Sequence, residues 1–316
     1  MAESLRGLTF LMDQEVLDIA EKRMQGKFVG NFFIPNRPVE GITYLWHYYG
    51  LVGGMTPEVG ENDIGPLIDT EYEQRTGTIK FYRERSQVSD YTSVIKMRNV
   101  TQDKIELLTD RLAMRIEQLK VGGIANNAIR TTDTLDITWH DCNLKGDHWA
   151  GGSGAVSIMD HIIDAQQSIN EYAKDVTDTI LCGTRATKAI NKSVEVRDWD
   201  RRGPMSVELI QDGRVMNVGM PGNIGRLMGH EVFVSNASIL SNPKNPRSPL
   251  IPLVDKDVYI FKRGQDLGRA HIFIPMQIQS ERNNLAHKME YQIEMAMKVN
   301  ITRPQLIYTV KDAIKT

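Results

Sequence analysis

This sequence predicts an α+β fold, and three observations carry that prediction. From Thr101 to Arg130 the apolar residues Ile105, Leu108, Leu112, Ile116 and Leu119 recur at steps of three and four, which is one face of a long helix. In the last quarter Met289, Tyr291, Ile293, Met295, Met297 and Val299 alternate with mostly polar neighbours, as do Ile272, Ile274, Met276 and Ile278. A period of two is the signature of strands, although Met, Glu, Ala and Lys are good helix formers. Between these regions an amphipathic helix with Ile158, Ile162, Ala165, Ile169, Tyr172 and Val176 on one face leads into the apolar strand TILCG at 179–183.

In chain order, residues 1 to about 55 read as an arm. A short helix near Asp13 to Met24 carries Val16, Leu17, Ala20 and Met24, and Gly26 ends it. The aromatic stretch GKFVGNFFIPNRPVEGITYLWHYYGLVGG then promises an extended segment that needs an apolar partner surface. Gly65 to Asp90 reads as two strands turning near Arg75, Thr76 and Gly77, with Asp69, Glu71 and Glu73 on one and Lys80, Arg83 and Arg85 on the other, paired across the ribbon. Such a ribbon is marginal alone in water, so it is expected to lie on another part of an assembly.

Thr101 is the expected N-cap of the long helix, whose run would measure about 40 Å at 1.5 Å per residue. Its like-charge pairs Glu106/Asp110 and Arg111/Arg115 are mildly unfavourable on an isolated helix; a solvated face is the more ordinary reading, and opposite charges on a neighbouring element or subunit the other. Thr134 to His140 is a short alternating strand, and Ser157 with Asp160 has capping-box spacing. Thr184 to Ile190 reads as a short helix, followed by the strand-like pieces VELI, RVMNV and HEVFVS, the glycine-rich loop GMPGNIG at 219–225 and the ordered loop NPKNPRSPLIP. The two long C-terminal strands join across SERNNLA. With DVYIF before them and QLIYTV after them, they form the sheet on which the long helix is expected to lie.

The totals bound the function. A chain of 316 residues with a formal net charge of −2 can bury a sizeable core and is not a basic nucleic-acid reader. Cys142 and Cys182 make no disulfide framework and fit a reducing compartment. No signal peptide or apolar run of membrane-spanning length is visible.

Catalytic patterns are weak. His140, Asp141, Cys142 and His148 are metal-ligand types, but the spacing matches no closed zinc pattern, and Cys182 would have to arrive from elsewhere. Around Ser153 the nucleophile-elbow pattern fails, because Ala155 stands where its last glycine belongs. GMPGNIG is neither a P-loop nor a dinucleotide fingerprint. No catalytic residue, cofactor or metal site is assigned, and the chain is not expected to be an enzyme.

The order of apolar arm, polar ribbon, long helix, amphipathic helix with TILCG, glycine-punctuated strands and C-terminal strands resembles the major capsid proteins of tailed double-stranded DNA viruses, with the Hong Kong 97-type fold. The segments that carry the resemblance are DHIIDAQQSINEYAKDVTDTILCGTRATKAI, GRLMGHEVFVSNASI, DVYIFKRG and SERNNLAHKMEYQIEMAMKVNITRPQLIYTV with its Arg303-Pro304 step. The resemblance implies an N-terminal arm at 1–58 and an extended β-hairpin loop at 59–92. It further implies a peripheral domain at 93–154 and 256–316 with the spine helix 101–130, and an axial domain at 155–255.

Its implied function is self-assembly into pentamers and hexamers of an icosahedral shell around packaged double-stranded DNA, held without sequence specificity, in a virion assembled in the host cytoplasm. Implied partners are further copies of the chain and scaffolding, portal and decoration proteins, with no membrane. Asp69, Glu71, Glu73, Lys80, Arg83 and Arg85 become inter-subunit contact candidates, and Lys80 is the loop candidate for the isopeptide crosslink that some family members form. Near-neutral charge suits an inner wall that must not trap DNA. Two alternatives stay open: an encapsulin-like compartment shell, and a soluble hydrolase or metalloenzyme using the 140–153 loop.

Overall fold

The protein's structure is a computed structural model that describes residues 29–49, 72–89, 100–127, 139–142, 149, 157–193, 195–196, 223–235, 238–240, 249–283 and 287–314. The helix expected at 13–24, strand residues 134–138 and the pieces VELI and RVMNV lie outside the described residues.

Two sheets organise the described chain. The first has the order β1-β12-β13-β4, from β1 (Asn36–Pro38), β12 (Gly268–Asn283), β13 (Lys288–Ile301) and β4 (Lys80–Ser89). A long helix, Val100–Asn127, packs on β13 and β4. Its expected apolar face is the packed one: Ile105, Leu108 and Leu112 are buried, and Ile116 and Leu119 rest against the same core. Arg111 reaches Glu84 of β4 at 3.3 Å, so one member of a like-charge pair does meet an opposite charge on a neighbour.

The strand periodicity holds for β13, where Tyr291, Ile293, Met295 and Met297 are buried toward the main core. β12 departs from it. Register shifts around Ile274 break the alternation just before Pro275, which cannot donate to the ladder. Ile274 therefore packs in a second, smaller cluster with Tyr44, Ile79 and Ala296, while Ile272, Met276 and Ile278 stay with the main core.

The second sheet has the order β5-β14-β11-β6-β8-β7. Its strands are β5 (Trp139–Asp141), β14 (Ile307–Lys311), β11 (Val258–Phe261), β6 (Thr179–Cys182), β8 (His230–Val234) and β7 (Asn223–Leu227). DVYIF and QLIYTV belong here rather than beside the long alternating strands, which corrects the expectation of one C-terminal sheet. All four residues of both β11 and β6 are buried, so these strands need cover on both faces and read as continuous apolar runs. This sheet therefore takes strands from both sides of the boundaries expected at 154/155 and 255/256. β7 begins at Asn223, so the last residues of GMPGNIG are strand rather than loop.

The amphipathic helix runs from Ile158 to Ala173 and packs on β14 and the Pro304–Leu306 turn. Ser157 caps it, its hydroxyl accepting the Asp160 N–H at 3.0 Å. A shorter helix follows at Thr184–Lys192.

The segment from Val29 to Pro38 is not a free arm. After one turn of helix at Gly30–Phe33 the chain adds β1 to the edge of β12. Phe33 stands edge-on to Phe233 and Phe261 of the second sheet, at 5.1 and 5.3 Å between ring centroids. The apolar partner surface expected for this stretch thus lies, for these residues, within the same chain.

Candidate assembly surface

The charged ribbon is built differently from the sequence expectation. β3 (Tyr72–Thr78) pairs antiparallel with β2 (Thr43–Tyr49), and β4 pairs antiparallel with β13. The strands at 72–78 and 80–89 are therefore not partners, and no turn lies at Arg75 to Gly77. Gly77 has another reason to be glycine: a Cβ there would sit 2.5 Å from the Tyr44 ring that lies over it. Alternating aromatics in TYLWHYY were the available signal for β2, since Tyr44, Trp46 and Tyr48 share one face opposite Gly77, Arg75 and Glu73.

The expected charge pairs redistribute accordingly. Glu73 bonds Arg75 on its own strand at 2.6 Å, and the Arg75 guanidinium lies 4.2 Å from the Tyr48 ring centroid. Arg83 meets Glu294 of β13, Nη2 at 2.7 Å and Nε at 2.9 Å, and Arg85 donates to Gln292 at 2.6 Å. Lys80 is exposed opposite Met297 in the β4–β13 register. Asp69 and Glu71 lie outside the described residues. Beyond Tyr44 and Gly77, the described ribbon side chains are exposed or half-buried on both faces.

The sequence reading missed a second exposed feature. β9 (Ser238–Leu240) and β10 (Leu250–Pro252) form a small ribbon beside the long helix, tied to it by the Gln118 amide donating to the Ser238 carbonyl. Ile239, Leu250 and Ile251 are exposed on it, and Leu45, Phe81 and Leu107 are exposed elsewhere. Leu250-Ile251 inside the proline-rich stretch was the sequence signal. Large apolar side chains grouped on a ribbon suit a protein–protein contact.

A buried ionic clamp holds the Val29–Pro38 segment. Glu117 of the long helix accepts the Val29 N–H at 3.2 Å and the Gly30 N–H at 2.7 Å. One turn on, Lys120 Nζ donates to Asn31 Oδ1, the Ile34 carbonyl and Asn36 Oδ1, each at 2.7 Å. Burial pushes the Glu117 carboxyl up to about 7, against the two N–H donors and the Lys120 charge, and pulls the Lys120 ammonium down to about 8. Gly30 makes the approach possible, because a Cβ there would lie 2.8 Å from Glu117 Oε2. In the sequence both charges look like solvated helix positions, and only their step of three marked them as sharing a face.

The 140–153 loop brings together part of the expected metal set and one residue from elsewhere. His140, Cys142 and His161 place a ligand atom each within 4.8 Å of one another, all buried. His148 and the side chain of Asp141 are not among the described residues, and Cys182 bonds instead to Thr187 Oγ1 at 3.3 Å and the Phe233 carbonyl at 3.5 Å. The Trp149 indole N–H donates to His161 Nδ1 at 2.8 Å. A metal-bound histidine normally donates its second nitrogen, whereas here that nitrogen accepts, so binding through Nε2 would require loss of the Trp149 bond. The cluster reads as a buried polar network that joins β5 to the helix at 158–173.

No family model matches this chain, and no curated protein matches it. Solved structures do. A phage-related protein from Bordetella bronchiseptica is 10% identical, with 95% of this chain and 97% of that chain covered at a TM-score of 0.63. The capsid of the cyanophage P-SCSP1u is 12% identical, with 91% and 88% covered at 0.60. An encapsulin from Synechococcus elongatus is 11% identical, with 90% and 87% covered at 0.52. The chain therefore has an α+β fold of the kind found in phage capsid and related shell proteins. Among the described residues no helix is long and apolar enough to cross a membrane.

Proposed function

We propose that this chain is the major capsid protein of a tailed double-stranded DNA virus, of the Hong Kong 97 type, and that copies of it assemble as pentamers and hexamers into an icosahedral shell. The observation that carries the reading is the fold shared with a phage capsid protein and an encapsulin over most of both chains at about a tenth sequence identity. Many small contacts, each too weak to hold a dimer, add up as a ring and then a lattice closes.

In this reading the β2–β3 ribbon is the extended loop, and the chain up to Ile42 includes the arm, its last residues clamped to the subunit's own helix. Glu73, Lys80, Arg83 and Arg85, with Asp69 and Glu71 outside the described residues, meet neighbouring copies. The exposed apolar side chains of β9–β10 and β4 add contact area. Scaffolding, portal and decoration proteins and packaged DNA are the further partners, and the virion assembles in the host cytoplasm.

The encapsulin match supports a second use of the same fold, a compartment shell holding cargo proteins. The two separate on their contents. Particles from the native source are treated with nuclease and then opened: protected double-stranded DNA is expected, and a protected protein cargo without DNA would favour the compartment.

A further inference from the structure

At the base of the β2–β3 ribbon lies a cavity of about 280 Å³ whose lining includes Arg37 of β1, Trp46 of β2, Asp266, Arg269 and His271 of β12, and Arg303. Three arginines and one aspartate line it, in a chain whose overall charge is close to zero. Neither Arg37 nor Arg269 makes an ion pair among the described residues. Strand pairing explains their convergence: Arg37 sits opposite His271 in the parallel β1–β12 register, and Arg269 is two residues earlier on the same face of β12.

His271 is the independent sign of a ligand. Its side chain is buried at 2% exposure, the Tyr44 ring stacks on it at 4.1 Å, and neither ring nitrogen has a hydrogen-bond partner. Buried polar atoms are nearly always satisfied, so an orphaned imidazole lining a cationic cavity marks a place where a partner is missing. The stacked Tyr44 presents its ring face to the imidazole, and its hydroxyl accepts from the Asn300 amide at 2.5 Å. Burial, followed by the Arg37 and Arg269 charges, holds the His271 imidazole down to about 4, so the ring is neutral near pH 7 and offers one N–H donor.

We infer that this cavity is a binding site for an oxyanion, a phosphate or carboxylate group, held by the Arg37 and Arg269 guanidiniums and by a hydrogen bond from His271. Guanidinium forks match the oxygen geometry of both groups.

The test follows Trp46 fluorescence in the full-length chain during titration with inorganic phosphate, and separately with acetate, against chloride at matched ionic strength. A saturable change is expected that is lost in Trp46→Phe. Affinity should fall at least about tenfold in Arg37→Gln and in Arg269→Gln, with far-ultraviolet circular dichroism unchanged. If Arg269→Gln fails to fold, Arg37→Gln on the exposed edge strand carries the comparison. A response to both anions admits carboxylate side chains as the natural ligand, a response to phosphate alone assigns the site to phosphate groups, and either upholds it. No saturable Trp46-dependent response to either anion, or one unaltered by both arginine substitutions, overturns it.

Discussion

Replacing Lys120 by methionine tests the clamp that fixes the Val29–Pro38 segment to the long helix. The substitution keeps most of the side-chain volume but removes three donated hydrogen bonds, to Asn31, Ile34 and Asn36. It also leaves Glu117, at 2% exposure, with two backbone donors and no cation. Taking the compensating cation from a buried carboxylate costs about 3–5 kcal/mol, and we expect a loss in that range by urea denaturation above pH 7, where Glu117 is ionised, at concentrations where the chain is unassembled. The double variant Glu117→Met with Lys120→Met should recover part of the loss, because it leaves no buried charge unpaired. A loss below about 1 kcal/mol, the scale of an exposed pair, would refute the clamp.

The pH dependence has a definite sign. Glu117 has a folded-state value of about 7, above its ordinary 4.5, so between those values the folded chain holds a proton that the unfolded chain releases. Its contribution is therefore fully present below about 4.5 and is lost as pH rises through about 7. Glu117→Gln should flatten that part of the stability profile.

Other perturbations separate packing from assembly. Phe33→Ala removes a ring wedged between Phe233 and Phe261 and should cost about 3–5 kcal/mol in the same denaturation assay. Gly30→Ala forces a Cβ against Glu117 and Lys120, and should lower the melting temperature markedly compared with Gly122→Ala, where the nearest atom is 3.6 Å away. Arg83→Gln removes the charge from a pair whose arginine is half exposed, so it should cost the isolated chain about 1 kcal/mol or less; sedimentation should nevertheless show impaired assembly if β4 meets a neighbouring copy. Cobalt(II) added to the folded chain should produce no thiolate charge-transfer band at Cys142, because the Trp149–His161 hydrogen bond opposes ligation.

Legibility in the sequence followed the range of the forces involved. The long helix, the capped helix at 158–173 and the two long strands were readable, because periodicity and capping are local and each element buries one face. Strand partners were not readable. Charge complementarity between 69–73 and 80–85 suggested a hairpin, but β4 instead matches its arginines to Glu294 and Gln292, more than two hundred residues away. DVYIF and QLIYTV carry no mark of which sheet they join, since a strand buried on both faces has no alternation to read. His161 escaped the metal search because it lies on a helix one turn inside the Ser157 cap, and a contact between that helix and β5 is tertiary information. Arg37, Arg269 and His271 converge only through the β1–β12 register.

The most direct test of the shell-forming role is electron microscopy of the purified protein, expressed with and without any scaffold encoded nearby. Closed particles, or capsomer rings and tubes, are expected. Only small globular particles across several salt conditions, even with the scaffold present, would contradict it.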